Sequence, residues 1–399
     1  MIFLLMLTVY GMGFQYNNIY RMGSIFPSDL VLLLVSGYYV IKYRNVGIKK
    51  TYVYAFLVAM VEFCIGIMSG SAIGNILRDV KIFLYFFAIY LILKGFCDVE
   101  QKIEKLYKYY AVVVVLSVAL NIINFFSNGL ANIDQGEILR TFAIGLGWGA
   151  VVPISLIANT FKSEIGQKYG VVVYYTIEIV SIVCVALSCT RTAWISFIVA
   201  FSLKRVFVDK ISINVSSLIK ASAVVILVVL LIGKLYQDKN PVFMVLYNRF
   251  AGITEAISDD DSTFAYRLND VSSSFYKFES PRIICGYGFG DTRKPYGYRI
   301  SETDAEVGCE NSYFYYVWKY GILFSVALAV ALIKKINRLW NQSKVAKVWT
   351  VYLIVYMAIG AMSGNLSNTY SIAIYALYFI LADYANDELE LIGLCNSEN

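Results

Sequence analysis

The 399-residue chain contains no histidine. With it go the commonest general base at neutral pH and the commonest metal ligand, so any chemistry rests on carboxylates, cations, hydroxyls or thiols. Charge is scarce as well: Asp, Glu, Lys and Arg make up 16% of residues, against 59% hydrophobic ones and a mean hydropathy of +0.63. This balance excludes an ordinary soluble protein and predicts an all-α polytopic membrane protein. Metal-ligand cysteine spacing is also missing. Cys64, Cys97, Cys184, Cys189, Cys285, Cys309 and Cys395 form no CxxC, and those in apolar stretches read as small core residues. Cys285 and Cys309 share one polar segment, so a bridge is open to them, although two free thiols are the simpler reading.

What is present is a succession of apolar runs long enough to cross a bilayer as helices. They fall near 26–41, 51–69, 76–95, 107–127, 141–161, 171–188, 191–207, 215–235, 312–333, 346–363 and 368–385. The stretch 1–14 is apolar, short and without a basic flank, so it is expected to be a first span with a truncated start rather than a cleaved signal. The expectation is about 12 transmembrane helices, nine within 1–235 and three within 312–385, with a tail at 386–399.

The net charge is +6, but its distribution tells more than its sum. The breaks at 42–50, 94–108, 162–170, 204–210 and 334–347 hold 18 Lys and Arg, whereas 15–25, 128–140 and 364–367 hold only Arg21 and Arg140. The positive-inside rule then places the first set and both termini in the cytoplasm. No cytoplasmic segment is long enough to be a separate enzyme. Residues 236–311 form one long extracytoplasmic loop before the last three helices, with 8 basic and 12 acidic residues. A loop of that length is usually functional, so chemistry is expected there, at the outer membrane surface.

Charges inside spans are costly and mark functional candidates. Arg78 and Lys81 lie in the first turns of a span entering from outside, Arg191 at the outer turn of the 171–207 hairpin, and Lys319 about two turns inside the span after the long loop. Together with Arg249, Arg267 and Arg282 they offer a basic pocket suited to a phosphate-bearing ligand, because the Arg fork grips phosphate oxygens bidentately. The competing reading pairs these cations with lipid headgroups or loop acids. Glu62 and Glu178, near mid-span, are expected to be buried protonated acids bonded to Tyr or Ser rather than proton relays. Asp259-Asp260-Asp261 reads as a solvated turn. Gly286-Tyr-Gly-Phe-Gly290 lacks the spacing and context of a dinucleotide fingerprint, and is expected to let backbone approach a ligand or another segment. No internal transporter-like repeat is evident.

The loop ends in Cys309-Glu310-Asn311-Ser312-Tyr313-Phe314-Tyr315-Tyr316, ahead of Trp318-Lys319-Tyr320-Gly321. Glu310 stands beside a strip of Tyr and Trp, residues that favour the interface and stack on sugar rings. Its carboxylate is placed to take a proton from an incoming hydroxyl while nearby cations stabilise a leaving phosphate. The alternative is a helix-entry acid favoured by the helix dipole.

The order of these elements resembles the superfamily of O-antigen ligases and Wzy-type polysaccharide polymerases. Thr190-Arg191-Thr192-Ala193-Trp194 resembles its hairpin turn. Arg249, Arg267 and Pro281-Arg282-Ile-Ile-Cys-Gly286-Tyr-Gly288-Phe-Gly290 resemble its spaced loop arginines leading to a Pro and Gly-x-Gly element. Glu310-Asn311 with the helix to Gly321 resembles the loop exit, where ligases carry His-Asn. The resemblance covers most of the chain in topology and about thirty residues in motif, and the Glu in place of His points to the polymerase branch.

By that resemblance the activity is a metal- and cofactor-independent glycosyl transfer at the outer face of the bacterial plasma membrane. The donor and acceptor are polyprenyl-diphosphate-linked oligosaccharide repeat units, and the product is O-antigen, capsule or exopolysaccharide. Catalytic roles are expected for Glu310, Arg191 and Arg267, and substrate binding for Arg249, Arg282, Asn311, Tyr313, Arg78, Lys81 and Lys319. Expected partners are membrane lipid and a chain-length regulator and flippase of the same pathway, with no nucleic acid. A ligase and a lipid-linked oligosaccharide flippase are the competing readings. A flippase, however, would be expected to spread its cations through the membrane depth.

Overall fold

The computed structural model describes residues 1–11, 27–42, 50–100, 103–124, 146, 150–188, 191–210, 269, 272, 275–293, 311–360 and 369–385. Among these the chain is helical, with no strand. The helices are α1 (Ile2–Leu5), continued by a π-helical stretch Met6–Gly11, α2 (Pro27–Lys42), α3 (Lys50–Met68), α4 (Ile73–Glu100) and α5 (Ile103–Asn124). Then follow α6 (Val151–Thr160), α7 (Lys162–Tyr169), α8 (Val171–Leu187), α9 (Arg191–Phe207), α10 (Ser312–Trp340), α11 (Lys344–Ile359) and α12 (Thr369–Asp383). Two short 3₁₀ helices, Phe275–Glu279 and Pro281–Ile284, lie ahead of α10.

Three described helices, Ile73–Val99, Ile103–Ile123 and Ser312–Trp340, are long and apolar enough to cross a bilayer, and several shorter apolar helices accompany them. Many large apolar side chains point outward, among them Leu33, Ile41, Val172 and Leu323. Water would penalise so much exposed apolar surface, whereas hydrocarbon accepts it. The chain is therefore a helical membrane protein. The first part of the expected span 141–161, up to residue 149, and the whole of 215–235 lie outside the described residues, apart from Leu146.

The core is built around α12. It is apolar on every side, and every residue from Ser371 to Ala382 whose surroundings are described is buried, as required of a helix enclosed by others. Its most extensive neighbour is α4, with α11 on another side, and α11 in turn packs against α6, α9 and α10. One end of this bundle is closed by polar groups. Asp383 accepts hydrogen bonds from Tyr90, Lys335 and Arg338, its backbone oxygen accepts from Gln342, and Lys94 pairs with Asp98 at 2.5 Å. Residues 94–98, 335–342 and 383 thus share one end. At the opposite end the Ser312 N–H donates to the Gly360 carbonyl at 2.9 Å, joining the start of α10 to the end of α11.

Helix α10 is not continuous. Gly321 has φ 77° and ψ 168°, a conformation open chiefly to glycine, and it breaks the helix nine residues after its start. The break frees carbonyls that an unbroken helix would use, and another segment takes them up. Tyr287 N–H donates to Trp318 O at 3.0 Å and Gly288 N–H to Lys319 O at 3.1 Å. The Gly286–Gly290 segment therefore docks inside the bundle between α3, α4 and α10.

Candidate functional site

The docked glycine segment organises the described part of the site. A Cβ on Gly286 would lie 2.3 Å from Lys319 O, one on Gly288 2.7 Å from Gly66 N, and one on Gly290 2.6 Å from the Ile76 side chain. The repeated glycines are thus explained by close approach to helices. Along the segment each amide finds an acceptor: Phe289 N–H reaches Glu62 O at 3.1 Å, and Gly290 N–H reaches Asp79 Oδ2 at 2.8 Å. Irregular backbone at this depth is tolerated because protein satisfies it.

Asp79 is the centre of the polar layer beneath. It also accepts from Tyr315 OH at 2.7 Å and pairs with Lys319 at 2.8 Å, both partners and itself being buried. Lys319 donates further to the Asp291 carbonyl and lies 4.2 Å from the Trp318 ring centroid. The Asp291 carboxylate accepts from Trp318 Nε1 at 2.6 Å and Lys277 at 2.7 Å, so the charges alternate from α4 through α10 to the loop. Each charge has a near partner of opposite sign, which is what buried ions require.

The residues singled out by sequence divide into three groups. Arg249, Arg267 and Glu310 lie outside the described residues, as does Cys309, and so does the side chain of Arg191, which opens α9. The turn before Arg191 is braced by Trp194 Nε1 donating to Val185 O at 2.8 Å. Lys81 and Lys319 each have a carboxylate partner, Asp29 at 2.6 Å and Asp79 at 2.8 Å. Their charge is spent largely inside the protein. Arg78 and Arg282 are exposed, Asn311 caps α10 by accepting from Phe314 N–H at 2.8 Å, and Tyr313 donates to Met357 O at 2.8 Å. Cys285 is a free, exposed thiol.

The mid-span acids also differ from each other. Glu62 is 3% exposed and its Oε2 has no hydrogen-bond partner among the described residues, while Glu178 accepts from Asn159 at 2.7 Å and is also hydrogen-bonded to Tyr174, one of the partner types expected for it. Sequence reading passed over Asp29, Asp79, Asp291 and Lys277. The signal was available for two of them, since Asp29 and Asp79 are acids inside spans that also need opposite partners.

Beside this layer, α3, α4, α10 and α12 enclose a cleft of about 640 Å³ lined by Tyr54, Val58, Ile82, Phe83, Phe86, Tyr316, Tyr320, Phe324, Tyr375 and Phe379, among others. Among the described residues its lining holds no charged side chain. Arg78, Ile82 and Phe86 recur at four-residue spacing on one face of α4, which sets an exposed guanidinium about one turn, ~6 Å, beyond the apolar wall.

Comparison with family models, with curated proteins and with solved structures gave no match to the chain.

Proposed function

We propose that the chain is a Wzy-type polymerase that joins polyprenyl-diphosphate-linked oligosaccharide repeat units at the outer face of the bacterial plasma membrane. The observation that carries this reading is the uncharged cleft beneath an exposed arginine. It suits an amphiphile with a phosphate head and a long hydrocarbon chain, and the polyprenyl tail is assigned to it. Among Arg78, Lys81 and Lys319, Arg78 is assigned to meet the diphosphate, because the two lysines already hold Asp29 and Asp79.

In the reaction the non-reducing hydroxyl of one lipid-linked unit attacks the anomeric carbon of the other. A new glycosidic C–O bond forms as the bond to the diphosphate breaks, and the electron pair leaves with polyprenyl diphosphate. Arg191 and Arg267, with Arg249 and Arg282 assisting, balance the charge that grows on the leaving group, and Glu310 receives the acceptor proton. Asn311 contributes by starting α10 directly after Glu310. Tyr313 and its aromatic neighbours face the sugar at the interface.

Arg191→Ala and Glu310→Gln, assayed in cells for polymer length, are each expected to abolish long chains at normal expression. Wild-type chain length in both would overturn the assignment.

A further inference from the structure

We infer that Glu62 binds ligand at the head end of the apolar cleft, its carboxyl accepting a hydrogen bond from a hydroxyl or amide N–H next to the ligand's phosphate. On the polymerase reading, on which this choice of donor rests, that group belongs to the sugar joined to the diphosphate.

Asp29, Asp79 and Glu178 each accept from at least one side-chain donor, whereas Oε2 of Glu62 has none among the described residues, although the residue is 3% exposed. Lys319 gives its donors to Asp79 and the Asp291 carbonyl rather than to Glu62. A buried carboxyl without a donor is costly, so keeping one calls for a role outside stability. Tyr54, Val58, Glu62 and Gly66 recur at four-residue spacing on one face of α3. Tyr54 and Val58 line the cleft and Gly66 lies against Phe289 of the glycine segment, so Glu62 stands between the two. The Cα–Cβ bond of a helical residue leans toward the helix N-terminus, which here is the direction of Val58 and the cleft. Tyr320 lines the cleft, packs on Phe289 with ring centroids 5.5 Å apart, and is close enough to feel the Glu62 charge.

The same end of the cleft carries the exposed guanidinium of Arg78. Helices α3 and α4 form a hairpin around the turn at 69–72, so residues equally far from it stand level. Val58 and Phe83, both in the cleft wall, are one such pair, and Glu62 and Asp79, the neighbour of Arg78, are the next. An anion-binding group and a hydrogen-bond acceptor therefore share one level, one turn beyond the apolar wall. This combination suits an amphiphile whose head offers an anion and a donor side by side. A bare polyprenyl diphosphate offers the anion alone. A lipid-linked sugar offers both, and so does phosphatidylethanolamine through its ammonium group.

The test titrates the purified full-length protein in detergent, by native mass spectrometry, with undecaprenyl diphosphate, with the same lipid carrying N-acetylglucosamine, and with phosphatidylethanolamine against phosphatidylglycerol. Wild type is expected to bind the sugar-bearing lipid about tenfold more tightly than the bare diphosphate, the factor that one hydrogen bond to a charged group supplies. Glu62→Leu is expected to bind the two alike, and Glu62→Gln, which keeps an acceptor oxygen, to retain part of the preference. Equal binding of the two lipids by wild type, or an undiminished preference in Glu62→Leu, overturns the role of Glu62. A preference for phosphatidylethanolamine over phosphatidylglycerol, lost in Glu62→Leu, with none for the sugar overturns the choice of ligand. Thermal unfolding separates binding from a structural role: with no partner to lose, Glu62→Leu should unfold at or above wild type, and a large drop would mean that the carboxyl serves the fold instead. If wild type binds neither undecaprenyl lipid, the polymerase reading fails and the role of Glu62 falls with it, an outcome distinct from binding both equally.

Discussion

Replacing Gly66 by alanine separates two forces of opposite sign. In an exposed helix the change stabilises by about 0.5–1 kcal/mol, because glycine loses more backbone freedom on folding. At Gly66 the new Cβ would lie 2.2 Å from Phe289 O, 3.1 Å from its carbonyl carbon and 3.3 Å from its nitrogen. All three are backbone atoms, so no rotamer change relieves the overlap. The glycine segment must withdraw by about 1 Å, which strains the bonds from Phe289 N–H to Glu62 O and from Gly290 N–H to Asp79. Overpacking of this kind costs about 1–3 kcal/mol, and loosening one or two of these hydrogen bonds adds roughly 1 kcal/mol each. The net expectation is destabilisation by about 1–4 kcal/mol. Gly37 and Gly74 supply controls, since a Cβ on either meets nothing within 4 Å. Thermal unfolding of the purified variants in detergent should place Gly66→Ala well below wild type, with Gly37→Ala and Gly74→Ala at or above it. A Gly66→Ala protein as stable as the two controls would refute the docking of the glycine segment against α3.

Gly321→Ala should be more damaging still, because its φ of 77° strains any other residue and its Cβ would lie 2.4 Å from the Cys285 carbonyl carbon; the same unfolding assay reads the difference. Lys319→Met alone leaves Asp79 buried without its cation and should cost about 3–5 kcal/mol, whereas the paired replacement of both residues should cost much less, as a double-mutant cycle would show. Asn311→Ala should lose about 1 kcal/mol of stability with its cap, but Asn311→Ser or Asn311→Asp should keep both stability and chain length; loss of polymer in those two would mean that the amide touches substrate. Arg78→Ala should weaken the apparent affinity for lipid-linked substrate more than Lys81→Ala does, because Lys81 is already paired with Asp29.

The helices were the most legible part of the chain. Apolar runs located α2, α3, α4, α5, α8, α9, α11 and α12 to within a few residues, since only a helix satisfies its own backbone in hydrocarbon. The end of α10 was placed at residue 333, yet the helix continues to Trp340. Lys334, Lys335 and Arg338 mark the end of the apolar run, but Lys335 and Arg338 pair with Asp383 and prolong the helix past it. The break at Gly321 was invisible for a different reason: a helix interior tolerates a lone glycine, and only the docked segment 286–290 reveals what the break is for. The expectation that Gly286–Gly290 approaches another segment held, although the sequence could not name α3, α4 and α10 as that segment. The cations misled most. Each was weighed by its own depth, while the partners that neutralise Lys81 and Lys319 stand on helices far away in sequence, at Asp29 and Asp79.

Deleting the protein and locating the lipid-linked repeat units tests the central proposal most directly. A polymerase predicts that single repeat units, still on polyprenyl diphosphate, accumulate in the outer leaflet while long chains disappear. Units stranded on the cytoplasmic leaflet, or polymer of normal length, would contradict it.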